Sequence, residues 1–264
     1  MRLDLRDLRE LAAEKLSALP AAVRAPEVTR DELVRDVGEM TWALHTIAAA
    51  ELLIEGRPRG FYLNLSRAAE NWRRLLARLA ARGDKLPPAS HSAAFLGAVA
   101  AADWDRAKEI ARLSSSAWQG GPQGEEYEED FAWSHLLHQY VTGAQPEILA
   151  DLAQSVRRAG ADSYQDRLSL IEALWAGDAA RFREAFELVW SSHAEEVETA
   201  ARSPVASAVE LGPYRSLWFE GLAYQRLGER RGFDVSASPL RYLPALASAA
   251  RTPPNALDND EHDE

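Results

Sequence analysis

Two histidines three residues apart, His135 and His138, follow the acidic run Glu125-Glu126-Tyr127-Glu128-Glu129-Asp130. On a helix this spacing puts both rings on one face, and one further carboxylate would complete a metal site. The known helical patterns ask for more. A zinc protease needs two His four apart around a Glu, and a di-iron bundle needs paired Glu-x-x-His. The chain contains neither, so no metal and no cofactor is expected. It also lacks cysteine, which excludes disulfides, thiolate-held zinc, iron–sulfur clusters and a Cys nucleophile. Gly120-Gly121-Pro122-Gln123-Gly124 lacks the Lys-Ser/Thr of a phosphate loop and reads as a connector. Ser114-Ser115-Ser116 ends a helix with no obvious base beside it, and there is no Gly-x-Ser-x-Gly elbow. Asp103, Asp105 and Asp178 read as turn and N-cap residues. The chain is therefore not expected to be an enzyme.

The elements that must carry these residues are all helical. Leu5, Leu8, Ala12, Leu16 and Leu19 recur at three and four, which predicts a helix over residues 4–19 ended by Pro20 and Pro26. Thr29-Arg30-Asp31-Glu32 has capping-box spacing and opens a second helix running to Gly56. Phe61, Leu65, Ala68, Trp72, Leu75 and Leu79 form the stripe of a third, closed by Gly83. Pro146 opens a helix that ends near Gly160. Residues 214–227 predict another helix, broken by Gly228 and Gly232, and Ser238-Pro239 starts a short last one. No period-two alternation survives for six residues, so no sheet is expected.

One internal echo stands out. Residues 94–107 read much like residues 169–182: an apolar helical run, a small residue then Asp at the turn, and a second amphipathic run. Such recurring helix pairs predict an all-α fold of about ten antiparallel helices arranged as helical hairpins, α-solenoid-like. Residues 1–250 are expected to form a single domain, and residues 251–264, rich in acid and proline, a disordered tail.

Net charge is −11, from 30 basic and 41 acidic residues, with five of the acids in the last seven positions. An acidic surface repels nucleic acid backbones, so no nucleic acid partner is expected; a basic protein surface is a better match. The N-terminal residues mix both charge signs without an apolar core, and no apolar run approaches a bilayer span. No signal peptide, no membrane partner and a cytoplasmic location are expected.

The eight tryptophans fall mostly on helical stripes, where core packing is the default. Trp118, in the flank of the glycine-rich loop, and Trp133, beside the acidic run, are the two for which exposure competes with burial. Together with Glu125, Glu126, Tyr127, Glu128, Glu129 and Asp130 they make the candidate binding face. The acids are either a solvated, well-capped helix start or a phosphate mimic for a basic cleft.

Several segments carry a resemblance. Gly60-Phe61-Tyr62-Leu63-Asn64-Leu65 leads a long helix, and residues 95–113 hold the Asp103 turn. Tyr127-Glu128-Glu129-Asp130-Phe131 opens a helix; Gly221-Leu222-Ala223, Arg230-Arg231-Gly232-Phe233 and Tyr242-Leu243-Pro244 follow. Over residues 60–245 the chain resembles the immunity protein 49 family, all-helical antidotes found beside toxins of bacterial polymorphic toxin systems. The resemblance implies an immunity protein that binds and neutralises a cognate toxin by stoichiometric association, and it brings no catalytic residues. The alternative from the residues alone is a helical-repeat adaptor or regulatory protein unrelated to toxins.

Overall fold

The computed structural model describes residues 4–25, 27–120, 126–160, 164–202, 212–235 and 240–248. Among them are ten α-helices and no strand. These are α1 (Leu5–Arg24), α2 (Arg30–Leu53), α3 (Pro58–Arg82), α4 (Ala93–Ala100) and α5 (Trp104–Leu113), then α6 (Glu128–Thr142), α7 (Pro146–Arg158), α8 (Gln165–Ala176), α9 (Ala179–Arg202) and α10 (Phe219–Arg230). Short 3-10 turns lie at Pro213–Arg215 and Ala245–Ser248.

The local signals act as expected where they are strongest. Thr29 accepts from the Glu32 amide while the Glu32 carboxylate accepts from the Thr29 amide, a complete capping box at the start of α2. Pro58 sits in the first turn of α3, and Gly83 ends that helix at φ 71°. The echo has a matching turn in both copies. Asp103 and Asp178 each accept from a backbone amide three residues on, Arg106 and Arg181. Their own amides return to Ala98 and Ala173 at 2.9 and 3.0 Å, closing the preceding helix in the same Schellman pattern. The left-handed residue between them is Gly177 (φ 74°) in one copy and Ala102 (φ 57°) in the other.

Four expectations change. Pro20 lies inside α1 and does not end it. The proline removes only one rung, and the last carbonyls are met from elsewhere: Arg78 of α3 donates to the Val23 carbonyl at 2.8 Å. The helix expected from Tyr214 begins at Phe219 instead. The Trp218 amide is drawn to the Tyr242 carbonyl at 3.0 Å, so Trp218 becomes the N-cap residue, and α10 then runs through Gly228 to Arg230. The short last helix is replaced by an isolated Leu240–Leu243 bridge and the 3-10 turn after it. Trp133 is 5% exposed and belongs to the core, whereas Trp118 is 46% exposed. The tail 251–264 and Glu125 lie outside the described residues.

Packing follows chain order from α1 to α7, with α3 also against α5, and α8 pairs with α9. The last helix departs from that order, since α10 packs on α4. Arg226 fastens this contact. Its side chain is 2% exposed and donates to the Ala100 carbonyl at the end of α4 (3.1 Å), to the Tyr62 hydroxyl (2.8 Å) and to the Ala247 carbonyl (2.6 Å). Glu229 pairs with it at 2.8 Å. A buried guanidinium is tolerated only when its donors are met in this way. By holding α10 on α4, it leaves a cleft between α4, α6 and the α8–α9–α10 side.

Candidate functional site

The acidic start of α6 divides into an inward and an outward set. Glu126 is turned in: its carboxylate accepts from the Ser90 amide (3.1 Å), the Ser90 hydroxyl (2.9 Å) and the Gln119 amide (3.2 Å). Its carbonyl takes the Trp118 indole N–H at 3.2 Å. Gln119 in turn donates to the Leu86 carbonyl at 2.9 Å. Glu126 therefore ties the end of the 114–120 segment to the turn before α4. Asp130 also faces in and accepts from the Tyr164 hydroxyl at 2.5 Å. Trp133, one turn along, packs at 5.6 Å from the Tyr164 ring and 6.4 Å from Tyr224.

The outward set is Trp118, Tyr127, Glu128 and Glu129. Tyr127 is 74% exposed at the N-cap of α6, and Trp118 is fixed close by through its bond to Glu126. Glu128 is exposed and Glu129 half-buried in the first helical turn, where the helix dipole favours negative charge. Two aromatic side chains thus flank two carboxylates on a surface whose backbone is held by the Glu126 bonds.

Beneath this surface two adjoining cavities, of about 380 and about 360 Å³, share Ser90, Ser92, Leu96, Arg167 and Glu220. Arg167 of α8 and Glu220 of α10 form a double contact at 3.1 and 3.3 Å, and Tyr224 donates to Glu220 at 2.5 Å. Burial alone would raise the Glu220 carboxyl, but the Arg167 charge and these hydrogen bonds prevail and lower it. Burial and the bond to Asp130 raise the Tyr164 hydroxyl, keeping it a donor.

Four histidines line the cleft, three of them from different helices and His91 from the segment before α4. His45 (α2) stacks on Phe219 at 4.7 Å, His138 (α6) meets Phe95 edge-on at 4.5 Å, and His193 (α9) stacks on Trp218 at 4.9 Å. Burial lowers His45 to about 4 and His193 to about 4; burial with the nearby His135 lowers His138 to about 3. All three are neutral near pH 7 and too weakly basic to serve well as general bases there. His135 stacks on Phe131 at 5.5 Å. Among the described residues no group of three His, Asp or Glu is placed to hold a metal ion.

Sequence reasoning singled out Asp130, Trp133 and Glu126, but not Arg167, Glu220, His45 or His193. Those four lie on separate helices and meet only through tertiary packing, so no local spacing marks them. No helix among the described residues is long and apolar enough to cross a membrane.

Residues 36–246 match the family model described as Immunity protein 49. No curated protein and no solved structure matches.

Proposed function

The chain belongs to the immunity protein 49 family, and from that premise we propose that it binds and neutralises one cognate bacterial toxin in the cytoplasm by stoichiometric association, without catalysis. The observation that carries the binding face is the outward set at the start of α6. Tyr127 and Trp118 are among the most exposed large apolar side chains, and they flank Glu128 and Glu129. Trp118, already held by its bond to Glu126, loses little freedom on binding, and exposed aromatic anchors of this kind dominate interface energies. The carboxylates suit a toxin with a basic active-site cleft, where they would stand in for substrate phosphates and speed encounter.

Glu126 and Asp130 support this face from within, so a test of the surface must spare them. The variants are Trp118→Ala, Tyr127→Ala and the charge reversal Glu128→Lys with Glu129→Lys. Each aromatic truncation is expected to weaken toxin affinity by more than about thirtyfold, and the reversal to slow association most strongly at low salt. Helical content and melting temperature should stay at the wild-type values. Unchanged affinity and association rate in all three folded variants would move the interface elsewhere on the molecule.

A further inference from the structure

The cleft beneath the α6 surface has a composition of its own. Its charged lining is Asp130, Glu196 and Glu220 against Arg167. Arg167 is already engaged by Glu220, which leaves two carboxylates in excess. Glu196 is exposed at the mouth of the cleft and Asp130 sits deeper, so the excess charge runs from rim to interior. Its walls carry imidazole nitrogens without hydrogen-bond partners: Nε2 of His193 and, deepest, Nε2 of His45 and both ring nitrogens of His138. The His45 and His138 side chains are 0% and 2% exposed. A buried polar atom left unpaired costs free energy that a matching group would recover. Each neutral imidazole offers one acceptor lone pair.

We infer that this cleft receives a cationic side chain, an arginine or lysine, presented by the partner protein. The identity of the partner rests on the toxin-binding reading; the chemistry rests on the cleft alone. An anion would face the excess carboxylates and an arginine already held by Glu220. An apolar group would leave the imidazole nitrogens unpaired. A guanidinium or ammonium donates to carboxylate and imidazole alike, and the aromatic walls of Trp133, Tyr164, Trp218 and Phe219 offer faces to a cation. The cleft already shows this geometry once, with the Arg167 guanidinium 5.5 Å from the centre of the Tyr164 ring. Burial keeps the imidazoles unprotonated at neutral pH, so each presents one lone pair and no competing charge; on His45 that lone pair is at Nε2 in the tautomer whose Nδ1–H faces the Tyr214 hydroxyl at 3.4 Å.

The test is a nuclear magnetic resonance titration of the full chain, observing the histidine ring resonances. The probes are N-acetyl-arginine methylamide and its neutral isostere N-acetyl-citrulline methylamide. The arginine probe is expected to shift His45 and His138 saturably in the millimolar range, with citrulline at least about tenfold weaker. Glu196→Gln, at an exposed position, should weaken the arginine probe severalfold while leaving the fold intact. No saturable shift, or equal response to arginine and citrulline, overturns the inference. Because this titration uses no toxin, its failure stays separate from a failure of toxin binding. If the toxin binds but the arginine probe does not, only the cleft assignment falls. If the probe binds and the toxin does not, only the immunity reading falls.

Discussion

Acidification should destabilise this protein through His45 and His138 well before its carboxylates titrate. Both rings are buried, with folded-state values of about 4 and about 3 against an ordinary 6.5. Between those limits the unfolded chain binds more protons than the folded one, so stability rises with pH. The contribution is complete above pH 6.5 and is lost as pH falls through 6.5 toward the folded values. Each pH unit in that window is worth about 1.4 kcal/mol per histidine, so at about pH 5 each ring has cost about 2 kcal/mol. Together the two remove about 4 kcal/mol, a large share of the roughly 5–15 kcal/mol typical of a folded domain. Urea denaturation followed by helical circular dichroism, from about pH 7.5 to about pH 5, measures the slope. His138→Gln should remove about one proton from it. Stability that is flat or rising on acidification over this range refutes the reasoning. The carboxylate contribution lies lower: bonding to Arg73, set against burial and aided by Arg74, holds Glu70 at about 2. Its stabilising effect is lost only as pH falls from its ordinary 4.5 toward that value.

Three further outcomes follow from local geometry. Glu126→Ala strands the Ser90 and Gln119 amides and should cost about 1.5–3 kcal/mol, with faster amide exchange at both positions; unchanged exchange would show the carboxylate to be dispensable. Gly177→Ala should cost about 1 kcal/mol at its left-handed turn, while Ala102→Gly at the matching turn should leave the melting temperature equal or raised. A loss of stability in the second variant would break the equivalence of the two turns. A Cβ on Gly97 would stand 2.7 Å from Nε2 of His45, so Gly97→Ala should destabilise by about 1–2 kcal/mol despite the better helix propensity of alanine; a gain in denaturant midpoint would contradict the close contact.

The parts of the fold legible in the sequence are those fixed by neighbours along the chain. The Thr29–Glu32 capping box, the Gly83 stop and the paired Asp103 and Asp178 turns each depend on residues within a few positions, and each forms as read. Pro20 and Tyr214 misled because distant groups decided them: Arg78 supplies a donor at the end of α1, and the Tyr242 carbonyl takes the Trp218 amide. The candidate surface was half legible. A run of five acids marks the start of α6, but its spacing does not tell that Glu126 is held by Ser90 and Asp130 by Tyr164 while Glu128 faces solvent. The cleft was hidden altogether, because His45, His138, His193, Arg167 and Glu220 come from five helices whose meeting depends on α10 folding back onto α4.

The central claim is a stoichiometric complex with a toxin. Isothermal titration of the purified chain into a catalytically inactivated cognate toxin, paired with growth rescue on co-expression, tests it most directly. The account predicts one-to-one binding in the nanomolar range together with rescue by the wild-type chain, and weaker binding with poorer rescue for Trp118→Ala and Tyr127→Ala. Absence of both a measurable complex and rescue, with a folded protein, would contradict it.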